Sequence, residues 1–201
     1  MTGYVKSEAT LLDRHMPQWH FRERHWVAVS APREEVLRAA REMTWREAPV
    51  ARFFLAFTRN KLRADGKVLD DFAMGGDTVL ELSDEELLYG GIGSQAGPVR
   101  PDRPMHEVFR DYAEPGCTKV AFHMHYAAGI LTTETRIYAT DERTRRNFGR
   151  YWFLIRIPSG MIRIALLSAI KRRVDGRRKG SEENPGGRTA EQVPDQTTDQ
   201  P

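Results

Sequence analysis

The sequence predicts an α+β domain in which a curved antiparallel sheet wraps around one long C-terminal helix. Residues 141–174 carry a single apolar stripe, Phe148, Trp152, Ile155, Ser159, Ile162, Leu166 and Ala169, at alternating steps of four and three. That spacing keeps one face of a helix turned toward a core. Residues 118–128 and 130–139 alternate apolar and polar side chains on either side of Ala128-Gly129, which is the pattern of a two-stranded hairpin. Several strands followed by one long helix point to segregated α+β architecture rather than to a parallel α/β sheet.

Composition sets the frame. The chain has 201 residues, 40% hydrophobic and 29% charged, with a formal charge of +3. This is one domain of ordinary size with enough apolar material for a core. The small net charge gives no reason to expect a nucleic-acid partner, which calls for a concentrated basic face. The single cysteine, Cys117, excludes an internal disulfide and suits a reducing, cytoplasmic setting. Residues 153–170 are the most apolar window and have about the length of a membrane span. Arg156 and Arg163 lie inside it, however, and Pro158 interrupts it. Each central arginine costs roughly 2.5–3.5 kcal/mol in a bilayer, so a buried core helix is expected. The boundaries expected are an irregular lead-in over 1–16, the folded domain over 17–175 and a disordered polar tail over 176–201.

Taken in order, residues 19–30 read as a first strand with Phe21, Val27 and Val29 on one face. Pro32, Glu34 and Glu35 then open a helix, with Val36, Leu37, Ala40 and Met43 as its apolar face. A second helical stretch follows Pro49, and its stripe of Phe53, Phe54 and Phe57 is expected to pack in the core. Two short strands, 78–83 and 87–93, flank the loop Asp84-Glu85-Glu86. The glycines of 93–104 lack the spacing of a phosphate cradle. A tight turn at Ala128-Gly129 sets Ala127 opposite Ile130, His125 opposite Thr132, His123 opposite Glu134 and Ala121 opposite Arg136. One face of that hairpin is then apolar, and the other carries a His–Glu–Arg group. In the last helix Asp141 is the N-cap, and Pro158 predicts a kink.

The strand-to-helix junction VAVSAPREEVLRA resembles the opening of the START-like, or SRPBCC, superfamily of polyketide cyclases, birch-pollen-type allergens and lipid-transfer domains. The later string TTETRIYATDERTRRNFGRYWFLIRIPSGMIR is similar to a bacterial branch of it that brings no activity with it. The resemblance covers about residues 19–174. It implies a helix-grip fold with a cavity between sheet and helix, in which relatives hold apolar or amphipathic small molecules and some act as cyclases or dehydratases.

Two questions follow for the candidate site. Glu134, Arg136 and His123 form either a solvated salt-bridge face or the polar floor of a cavity, with Arg136 orienting a ligand carboxylate or hydroxyl. Tyr126, Tyr151 and Trp152 are the aromatic candidates for its walls. His123 and His125 share a strand face, but a lone His-x-His pair is too little to assign a metal, and no cofactor is expected. Non-catalytic binding of a small apolar or amphipathic ligand is the leading expectation. A cyclase-type enzyme built on Glu134, His123 and Arg136 is the alternative. Membrane-surface contact through the basic end of the helix, from Lys171 to Lys179, is a further one. If the apolar hairpin face meets the long helix, the His–Glu–Arg face must point away from it.

Overall fold

The fold was analysed in a computed structural model, which describes residues 9–56, 62–72 and 79–183. It is α+β, with a curved, unclosed antiparallel sheet and a long C-terminal helix. The chain begins with α1 (Leu11–His15), β1 (Phe21–Ala28), α2 (Arg33–Glu42), α3 (Pro49–Ala56) and α4 (Val68–Phe72). It continues through β2 (Val79–Leu82), β3 (Glu86–Ser94), β4 (Gly97–Pro98), α5 (Met105–Val108), β5 (Cys117–Ala127), β6 (Ile130–Ala139) and α6 (Glu142–Glu183). The strand order is β1-β6-β5-β3-β2, with β4 paired to β3.

The β5–β6 register is the one the alternation predicts: Ala127 faces Ile130, His125 faces Thr132, His123 faces Glu134 and Ala121 faces Arg136. Ala128 (φ 49°) and Gly129 (φ 78°) both take left-handed conformations. Such a pair gives the turn whose twist matches that of the flanking strands. On one side of the sheet Phe122, Met124, Tyr126 and Leu131 join Val36, Leu37, Trp45, Ile162, Leu166, Ile170 and Val174 in the main core. Asp141 caps α6 by accepting from the Thr144 N–H at 2.9 Å, and backbone and side-chain donors from Thr144 and Gly116 hold its carboxyl down to about 2. The helix runs uninterrupted through Pro158. The carbonyl that loses its partner to the proline is that of Leu154, on an exposed turn.

Three expectations are corrected. The lead-in is part of the fold: Leu11, Leu12 and Met16 are buried in a second core with Leu88, Phe109 and Ala121, on the sheet face away from α6. A reciprocal capping box between Thr10 and Asp13 starts α1, and that pairing was readable as a helix start. The long helix does not stop near Val174 but continues to Glu183, and the rest of the expected tail, 184–201, lies outside the described residues. On α3 the aromatic stripe reaches the core only in part, through Phe54, which packs against it. Phe53 is 61% exposed while Ala48 and Ala51 are buried. Those small side chains let α3 approach α6, and Phe54 is half-buried. Phe57 lies outside the described residues.

Because Leu12 is fully enclosed, Leu12→Ala should cost about 2–5 kcal/mol, read as a lowered denaturant midpoint. A truly irregular lead-in would leave the midpoint unchanged.

Candidate functional site

α6 packs on β1 and β6 and against α2 and α3. Between its first turns and the concave side of β3 and β5 it leaves a cavity of about 760 Å³. Tyr89, Val120, Phe122, Phe148 and Tyr151 give this cavity a mainly apolar wall. The residues of β3 that pair with Phe122, Val120 and Thr118 are Tyr89, Gly91 and Gly93, so two glycines stand on the cavity side of one strand. A Cβ placed on Gly93 would meet nothing within 4 Å, which makes the missing side chain a source of cavity space. Gly90 has a different reason: its Cβ would lie 2.5 Å from Leu80 Cδ1 on the opposite face.

Among the described residues one charged side chain lines the cavity, Arg163, which is 5% exposed. Its Nε donates to Thr135 Oγ1 at 3.1 Å, and its Nη1 donates to the Ser159 carbonyl at 3.1 Å and to the Ser159 hydroxyl. Glu23 Oε2 stands 3.4 Å from Nη1 and also accepts from Ser159 Oγ at 2.9 Å. His25 Nε2 lies 3.0 Å from the other Glu23 oxygen. Burial pulls the Arg163 pKa down, and the Glu23 charge opposes that pull. A guanidinium titrates so high that it stays charged here. The buried pair therefore presents a fixed, hydrogen-bonded cation under an apolar space. Gly160 makes this packing possible: a Cβ there would sit 2.7 Å from Glu23 Oε1 and 3.3 Å from His25 Nε2.

The predicted site residues are dispersed. Tyr151 lines the cavity, and its ring meets Phe148 edge-on with centroids 5.6 Å apart. Trp152 is buried one residue on, against Phe21 and Phe148, and anchors the helix to β1. Tyr126 donates its hydroxyl to the Val29 and Ala31 carbonyls at 2.8 and 2.9 Å, fixing the chain between β1 and α2. Glu134, Arg136 and His123 lie on the sheet face away from α6, so none of them reaches the cavity, yet all three are buried. The cause is the N-terminal segment. Arg136 pairs with Asp13 at 2.7 Å, donates to the Met16 carbonyl at 3.0 Å and lies 4.1 Å from the Trp19 ring centroid. Glu134 accepts two bonds of 2.8 Å from Arg22 and one from Arg136. His123 stands 2.6 Å from Glu86, which also accepts the Leu11 N–H at 2.7 Å. These polar groups are struts that tie α1 to the sheet. No group of three or more metal-binding side chains is placed to hold an ion among the described residues.

Arg163, which lines the cavity, and the groups that hold it were partly legible. Glu23 and His25 share the parity of Phe21, Val27 and Val29, so they belong to the strand's inward face. Ser159 sits in the apolar stripe itself, and Arg163 lies one residue beyond Ile162. Polar residues in an inward-facing register were the missed signal.

Two outcomes follow. Gly160→Ala should lower the melting temperature, although alanine favours a helix interior over glycine by about 1 kcal/mol. Combining it with Glu23→Ala, which removes the clashing carboxylate, should shrink the additional loss, as a thermal double-mutant cycle would read. The second outcome concerns acid. Burial pushes the Glu134 and Glu86 carboxyls up, but the bonds from Arg22 and Arg136, and from His123 and Leu11, outweigh it and leave both below their ordinary range. A depressed folded value means stability that is complete above the unfolded carboxylate range, about 4, and lost as pH falls through the folded values. Glu134→Gln should therefore lower the melting temperature at neutral pH and flatten its decline in acid, in a pH series of thermal melts.

No family model, curated protein or solved structure matches the chain. The family resemblance rests on the quoted residues alone, and the function on the chemistry of the site.

Proposed function

We propose that the protein is a helix-grip binding domain that holds an apolar or amphipathic small molecule in the cavity between the sheet and the first half of α6. The carrying observation is the cavity itself: about 760 Å³, walled mainly by apolar side chains, with the buried Arg163 as the one charged lining residue among those described. Ligand sites commonly enclose about 300–1,000 Å³ and combine an apolar wall with a few fixed polar groups. Arg163 offers hydrogen-bond donors and no acceptor. The complementary ligand has an apolar body and one acceptor end, such as a carboxylate, a carbonyl or a phenolate. Thr135 and Ser159 already take the Nε, both Nη1 and one Nη2 hydrogens of Arg163, which leaves one Nη2 N–H for the ligand, and Glu23 tempers the positive charge, so a neutral acceptor fits as well as an anionic one. The role first assigned to Arg136 passes to Arg163, because Arg136 serves the other face of the sheet.

The cyclase alternative depended on Glu134, His123 and Arg136 converging in the cavity, and their place beneath α1 withdraws that support. The binding reading requires only the cavity and its one fixed donor.

Titration with a fluorescent fatty acid tests the reading. The wild type should bind it saturably, one per chain. Gly93→Leu should fill the space without disturbing the fold, since nothing lies within 4 Å of the added Cβ, and should weaken binding at least about fivefold, the effect of overfilling a packed site by roughly 1–3 kcal/mol. Equal binding by wild type and Gly93→Leu would refute the assignment.

A further inference from the structure

The face of α6 that points away from the sheet is apolar in its middle and basic at both ends. Phe153, Leu154 and Ile157 are 86%, 76% and 74% exposed, and Met161 and Ile164 continue the row. Their spacing places all five on one helical face. The stretch 153–164 is on the order of 17 Å long at 1.5 Å per residue. Arg143, Arg146 and Arg150 precede it on the same face, all exposed, and the half-buried Lys171 and the exposed Arg172, which also donate to the Ala28 and Glu47 carbonyls, follow it. The half-buried Asp175 comes only after them. A soluble helix normally turns charges outward and apolar residues inward. This one turns apolar side chains both ways.

By length and composition α6 could cross a membrane. Its inward face argues against spanning: Trp152, Ile162, Leu166 and Leu167 are buried in protein, and Arg163 is held by Glu23, Ser159 and Thr135. Crossing would strip those contacts. Lying flat keeps them.

We propose that α6 docks on an anionic lipid surface, inserting Phe153, Leu154, Ile157, Met161 and Ile164 at the acyl boundary while the flanking cations meet the headgroups. Two features select lipid over a second copy of the chain. An interfacial helix has an apolar row flanked by Lys and Arg. A symmetric pairing of this face would bring the arginine-rich ends or the arginine and lysine ends together across the contact, like charge against like. The geometry also serves the cavity. Tyr151, which lines it, lies one turn from Leu154, so a docked helix sets the cavity wall beside the lipid from which an amphipathic molecule would enter.

The test is co-sedimentation of the full chain with vesicles of phosphatidylcholine alone or mixed with phosphatidylglycerol. Binding should require phosphatidylglycerol. Leu154→Ser with Ile157→Ser should abolish it while leaving the melting temperature and the fatty-acid titration unchanged, because both side chains are exposed and neither lines the cavity. Arg146→Gln and Arg150→Gln should each weaken it about fivefold, the effect of one cation near an anionic surface. Failure to bind the mixed vesicles, or binding that neither pair of variants alters, would overturn the proposal. So would a dimer in size-exclusion chromatography that Leu154→Ser with Ile157→Ser converts to monomer, since the stripe would then belong to a second copy. Gly93→Leu should leave vesicle binding intact, which separates loss of the cavity from loss of the docking face.

Discussion

The ion pair between Glu23 and Arg163 governs how the long helix meets the sheet. A strand and a helix each contribute one charge to a place where water is excluded. Removing two charges from water costs several kcal/mol per ion, and the attraction between them offsets that only when further hydrogen bonds satisfy both groups. Here Ser159 donates to Glu23 and accepts from Arg163, Thr135 takes the other edge of the guanidinium, and His25 stands against Glu23. Glu23 and His25 reach that position because residue 160 has no side chain. The crossing point of helix and sheet is thus set by a polar cluster that tolerates little displacement.

The cavity follows from where that crossing point lies. C-terminal to it, Leu166, Ile170 and Val174 close on Val36, Leu37 and Trp45 as ordinary core. N-terminal to it, the helix is held at the sheet's edge, where Phe148 and Trp152 meet Phe21 of β1. Pinned along β1 and β6, the first turns of α6 leave β3 and β5 without a cover, and the glycines of β3 widen the space. An all-apolar crossing would be free to slide toward closer packing. A hydrogen-bonded ion pair has one favourable register, and the open volume beside it is preserved.

Pattern reached much of this. The hairpin register followed from keeping apolar and polar side chains on separate faces, and the helix followed from its stripe. What pattern missed has one physical origin. Alternation shows which residues share a face, but not what covers that face. Glu134, Arg136 and His123 were correctly placed opposite the apolar set, and solvent was the default for such groups. The chain instead folds α1 over them, so that Asp13, Met16 and Trp19 supply their partners. On β1 the alternation puts Glu23 and His25 in the inward register of Phe21, Val27 and Val29, a place unusual for groups so polar. In both places the partner that makes burial tolerable comes from a distant part of the chain: Arg163 lies 140 positions after Glu23, and Arg136 lies 123 after Asp13.

Those long-range pairs also explain why α6 can be apolar on more than one side. A helix whose stability came from a single buried stripe would need a polar outer face to fix its orientation on the sheet. In α6 the orientation is fixed from within, by Arg163 against Glu23 and by Trp152 against Phe21. Rotation about the helix axis would bury Phe153 and Leu154 but would strand Glu23 without its cation. An uncompensated buried charge costs about 3–5 kcal/mol, comparable to what burying two large apolar side chains returns. The outer face is thereby released from any structural duty. Its row of Phe153, Leu154, Ile157, Met161 and Ile164, exposed between two groups of cations, is available for a lipid surface without weakening the grip of the same helix on the sheet.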